Sequence, residues 1–155
     1  MSFKVYPRHT SLSLTAARAL LDGARSAARA RELQPMAIAV FDAGGRLVSA
    51  DCEDGAGTLR LDIATGKALG ALGFGVSSAT VAARTQGREA FVSGVAAAAD
   101  GDFVPAGGGV LVLDAQGVVI GAAGASGDSP DNDQAVVLAG LAAAGLEPGL
   151  DPDQA

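Results

Sequence analysis

The chain has 155 residues, of which 49% are hydrophobic, and a formal net charge of −6. That length sets the expectation at one domain, residues 1–155. Much of the apolar fraction is Ala and there is no Trp, so the core must be built from small pieces. An acidic chain without a Lys/Arg run has nothing to neutralise phosphates with, which excludes nucleic acid as an expected partner. The Ala-rich stretches are broken by charge and the first residues lack a signal pattern, so the expectation is a soluble cytoplasmic protein without a membrane span. A single Cys52 cannot form an internal disulfide.

Residues 1–12 read as extended. Ser13 or Thr15 can cap a first helix. Leu14, Ala17, Leu21, Ala24 and Ala28 alternate at spacings of three and four and make one apolar stripe. Gln34-Pro35 is expected to stop it. Two strands follow, Met36–Phe41 and Arg46–Ala50, joined by the turn chemistry of Asp42, Gly44 and Gly45. Leu59–Leu72 reads as a helix capped by Thr58. A helix from Ser77 or Ser78 to Arg84 and another over Arg88–Ala98 come next, separated by Gly87. Phe103–Val104 is expected as an edge strand. Gly109–Leu113 and Val118–Ala123 repeat the hairpin design around Asp114, Gln116 and Gly117. Ser129-Pro130 is a strong helix start, and that helix runs to Ala144 before Gly145. The tail 146–155 is expected to be flexible. Tightly connected strands must be antiparallel, so the order predicts an α+β fold: an antiparallel sheet with helices packed on it.

Five stretches together resemble the GlcG/HbpS-like family, known for haem binding and haem degradation. They are AVFDAGGRLVS (39–49), DGA (54–56), IATGKALGAL (63–72), GGGVLVLDAQGVVIGAAGASG (107–127) and NDQAV (132–136). The resemblance spans about residues 12–145. It implies a profilin-like fold, an antiparallel β-sheet with flanking helices, and a homo-oligomer. One departure stands out: where the family carries an Arg before its Asp-Gly-Ala stretch, this chain has Cys52-Glu53-Asp54. A bidentate anion fork is lost there.

Lys67, flanked by apolar helix neighbours, can reach into a pocket and pair with an anion. Asp131 and Asp133 suit the positive end of the last helix. The resemblance singles out Asp133 as a general base or as a partner for Lys67. The run Gly124–Gly127, with Ser126, would bring backbone N–H groups close to a ligand oxygen, or would serve close helix packing alone. Arg84 and Arg88 can clamp a carboxylate, with plain surface charge as the alternative. Cys52 and Glu53 are placed at a strand end as pocket-lining candidates, but carboxylates beside the thiol argue against nucleophilic catalysis. His9 is the one side chain suited to ligate haem iron, and few aromatics exist to line a porphyrin. No metal site is expected, since His/Cys clustering is absent.

These residues support three readings. The first is a pocket for a small organic acid without a cofactor. Its catalytic version is a lyase, isomerase or hydratase using Lys67 and Asp133. The second is a haem or tetrapyrrole binder acting through His9. The third is an oligomeric accessory module without catalysis.

Overall fold

A computed structural model describes residues 3–151. The elements are α1 (Leu14–Ala30), β1 (Ala37–Asp42), β2 (Leu47–Cys52), α2 (Arg60–Phe74), α3 (Ser78–Thr85), α4 (Glu89–Ala98), β3 (Gly109–Leu113), β4 (Val119–Ser126), α5 (Pro130–Ala143) and β5 (Glu147–Gly149). The strands form one antiparallel sheet in the order β2-β1-β4-β3-β5. The fold is therefore α+β, with helices on both faces of the sheet.

Alternation along the strands divides the core into two layers. Ile38, Val40, Val110, Val112, Ala123 and Ala125 face α1 and α5, where Leu20, Leu21, Val136, Val137 and Leu141 meet them. Ala39, Phe41, Leu111 and Ala122 face Ala68 and Ala71 of α2. Each fully buried Leu or Val contributes about 1.5–3 kcal/mol, so the α1/α5 layer carries most of the burial free energy. The Ala-rich α2 layer gains instead from close approach. A Cβ at Gly124 would run into the Ala64 carbonyl, and one at Gly109 into that of Lys67. The small residues of β3 and β4 are thus demanded by a helix lying on the backbone itself.

Three serines cap helices as their chemistry predicts. Ser13 accepts from Ala16 N–H, Ser77 from Thr80 N–H and Ser129 from Asn132 N–H. Thr58 does not cap α2; Leu59 occupies that position and makes no side-chain bond. Helix α1 ends at Ala30, ahead of Gln34-Pro35, because Glu32 turns to φ 53°. Leu14 stands off the stripe and is half-exposed, whereas Leu20 is fully buried.

Two larger expectations are corrected. Phe103–Val104 is no strand: Phe103 is buried against Gly70 of α2, and Val104 N–H donates to the Gly66 carbonyl. The segment after α5 is not free either. Glu147–Gly149 pairs with β3, and Leu146 and Leu150 pack on the core; residues 152–155 of that tail lie outside the described residues. Strand β4 also runs on to Ser126, three residues beyond Ala123. Among the described residues, no helix is long and apolar enough to cross a membrane.

Candidate functional site

Lys67 leaves α2 on one side of the sheet and Asp133 leaves the first turn of α5 on the other. They meet past the start of β3. The Lys67 ammonium donates to Asp133 Oδ2 at 2.7 Å and to the Ala125 carbonyl at 3.0 Å. Gly108, at φ 123°, opens the way: a Cβ there would meet Lys67 Nζ at 3.0 Å and Asp133 Cβ at 2.9 Å. The other carboxylate oxygen of Asp133 accepts from Gly127 N–H at 3.1 Å and Asp128 N–H at 3.0 Å. Both side chains are almost completely buried, Lys67 at 3% and Asp133 at 1% residue exposure.

The sequence-predicted pair is therefore assembled from residues 66 positions apart. Its charges compensate each other and its hydrogen bonds come from the protein's own backbone. This arrangement clips the α2 and α5 layers together across the sheet. The backbone N–H of Gly127, expected to meet a ligand oxygen, meets the Asp133 carboxylate instead. Gly124 and Ser126 belong to β4, where they pair with Ala39 and Ala37 of β1. Ser126 is fully buried and its hydroxyl lies 3.3 Å from an Arg60 guanidinium nitrogen.

The other candidates lie elsewhere. Arg84 is exposed on α3, and none of the hydrogen bonds of the buried pair involves it. Arg88 sits 4.2 Å from the centre of the Phe91 ring, a cation–π contact. Asp131 is exposed in the first turn of α5. Glu53 is engaged by Arg29 at 2.9 Å and by Met36 N–H at 2.8 Å, which ties the end of β2 to α1. Cys52 is exposed beside it, in a shallow concavity shared with Arg25, Arg29, Asp51 and Asp54.

At the opposite end of β1 a second arrangement appears. The Asp42 carboxylate accepts from Gly44 N–H and Arg46 N–H and fixes the β1–β2 turn. Ser11 Oγ accepts from Ala43 N–H at 3.0 Å, which anchors the segment before α1 against that turn. The result is a concavity of about 640 Å³ lined by Arg8, His9 and Arg46 together with Leu12, Leu14, Leu47 and Val48. Arg46 is held only loosely by Asp42, at 3.7 Å, with its side chain 69% exposed. An imidazole, two guanidiniums and uncovered leucines can hold an amphipathic anion with an apolar body. The sequence reading found His9 and missed Arg8 and Arg46. Their signal was weak: each is an isolated cation, and long-range contacts of Ser11 and Leu12 bring them together.

Asp128, beside the buried pair, titrates below the ordinary carboxylate range. The Asn132 side chain and the backbone N–H groups of Ser129 and Gln34 donate to it and hold its carboxyl near a pKa of about 2.

Among solved structures, the fold is similar to PduOC, crystallised as a haem complex, at 23% identity and a TM-score of 0.79, covering 90% of this chain and 99% of that one. It is similar to Klebsiella pneumoniae protein ORFY at 21% identity and a TM-score of 0.79, covering 94% and 98%. HbpS matches at 23% identity and a TM-score of 0.73, covering 92% and 97%. A comparison with curated protein sequences finds no match. The family profile described as haem degrading protein HbpS-like matches residues 12–142, and the chain belongs to that family.

Proposed function

We propose that this protein binds haem, or a closely related tetrapyrrole, in the concavity at the β1–β2 turn. The single observation that carries the reading is that its one histidine shares that concavity with Arg8, Arg46 and exposed leucines. The donor set fits the group. His9 would supply a ring nitrogen to the iron, Arg8 and Arg46 would pair with the propionates, and Leu14 and Leu47 would cover the macrocycle. Membership of a haem-related family and the similarity to a protein crystallised with haem support the same reading. When bound, haem would supply the iron chemistry; the chain's own part is to hold and orient it.

The organic-acid reading has less support. Lys67 and Asp133 are buried and neutralise each other, so an incoming acid would have to displace a 2.7 Å ion pair before meeting either charge.

Titration with hemin tests the proposal. A shifted Soret band saturating at one equivalent per chain is expected. His9→Ala should lose the ligation spectrum, and Arg46→Gln should weaken affinity about tenfold, the loss of one charge-assisted hydrogen bond. Iron-free protoporphyrin should bind both wild type and His9→Ala. No spectral change at stoichiometric hemin, or an unaltered spectrum in His9→Ala, would overturn it.

A further inference from the structure

The chain carries six aromatic residues, and those outside the core fall into two separate patches. Phe3 and Tyr6 lie on the segment before α1, which is neither helix nor strand, together with Val5. These three are 81–84% exposed. The second patch is on the far side of α2. Phe74 contacts both Phe91 and Phe103, with ring centroids 6.4 and 5.7 Å apart. Helix α4 is mostly apolar, Glu89 and Ser93 apart, yet none of its residues is buried. Between α4 and α2 runs a cleft of about 300 Å³ lined by Leu69, Gly70, Phe74, Val95, Ala98 and Phe103. An apolar helix with no buried face has a missing neighbour.

The charges around the two patches are complementary. The arm carries Lys4 between Phe3 and Val5. Asp102 lines the cleft and Asp100 lies two positions before it; both are exposed, and neither makes an ion pair among the described residues. A cation within the apolar arm therefore matches an acid at the apolar cleft. The area also suffices. A buried Phe or Tyr covers about 150–250 Å². A two-fold exchange seats four such rings, hence about 600–1,000 Å² on the arm side. Counting the cleft side as well doubles this to about 1,200–2,000 Å², the size of a stable interface.

We infer that the arm of one copy, led by Phe3, Val5 and Tyr6, docks in the α2–α4 cleft of a second copy of this chain, with Lys4 against Asp102. The exchange is reciprocal, as two-fold symmetry requires. It is independent of haem, because neither Phe3, Tyr6 nor the cleft contributes to the His9 concavity.

Light scattering across a hundredfold concentration range tests this. Wild type should have at least the mass of a dimer. Phe3→Glu with Tyr6→Glu, on an arm outside the core, should halve that mass with an unchanged circular dichroism spectrum. Val95→Glu, in the opposite patch, should do the same. In a Cys52→Ser background, mixing a Val5→Cys chain with a Val95→Cys chain should give a disulfide between the two under oxidation. A monomeric wild type, unchanged mass in the variants, or no disulfide between the two mixed chains would overturn the inference.

Discussion

Cutting the Lys67–Asp133 clip from either side should cost different amounts. In Lys67→Met, the Asp133 carboxylate keeps the N–H groups of Gly127 and Asp128 and the positive end of α5. In Asp133→Asn, the Lys67 ammonium keeps the Ala125 carbonyl and faces a neutral amide in a place almost sealed from water. Removing one partner of a buried pair costs about 3–5 kcal/mol, chiefly because the other charge is stranded. Lys67→Met should therefore lie near about 3 kcal/mol and Asp133→Asn near about 5. At about 2–4 °C per kcal/mol for a chain of this size, the midpoints should fall by about 6–12 and 10–20 °C. Urea and thermal unfolding of both variants measure this. Lys67→Met with Asp133→Asn should be less destabilised than the sum of the singles by about 0.5–3 kcal/mol, the coupling expected of a direct pair. Single variants within about 1 kcal/mol of wild type, a reversed order, or strictly additive losses would refute the reasoning.

Gly124→Ala should fail to accumulate as folded protein, or lose more than about 3 kcal/mol, because its Cβ has only the backbone of α2 to move; Gly73→Ala, with open space around it, should match or exceed wild type in thermal melts. Asp128 gives a pH dependence whose sign is fixed. Its folded pKa, about 2, lies below the ordinary 3.8, so the native state binds fewer protons. Its contribution is full above about pH 4 and is lost as pH falls toward 2. Asp128→Asn should flatten that part of the stability profile in urea titrations between pH 2 and 5 without altering its shape above pH 5. Cys52 is exposed and should react with a thiol reagent in the native state at the same rate as after unfolding, within about threefold; strong protection would contradict the described β2 edge.

Local chemistry made part of this fold readable. Ser13, Ser77 and Ser129 announce their helices because a cap is decided within four residues. Turns built on Asp42 and Asp114 are local for the same reason. Strand β4 was cut short because Gly124, Ala125 and Ser126 have weak strand preference. They are extended because β1 pairs with all three and α2 leaves no room for larger side chains. Strand β5 has the sequence Glu-Pro-Gly, which carries no strand signal, and exists only through β3. At the site, nothing in the spacing of Lys67 and Asp133 relates them; the family resemblance suggested the pairing, and Gly108 is what makes it geometrically feasible. The environment of His9 was unreadable because it depends on long-range contacts of the segment before α1: Ala43 N–H donates to Ser11 Oγ across 32 positions and Leu12 is buried in the core.

The short strand β5 also limits how copies of this protein can associate. Pro148 pairs opposite Val112 at the outermost rung of the sheet, and a proline presents no amide hydrogen to an arriving strand. With only three residues on that border, ladder growth from molecule to molecule has almost nothing to register against. Filament-like stacking through this margin is disfavoured by construction, which leaves side-chain contacts as the way for two molecules to recognise each other there.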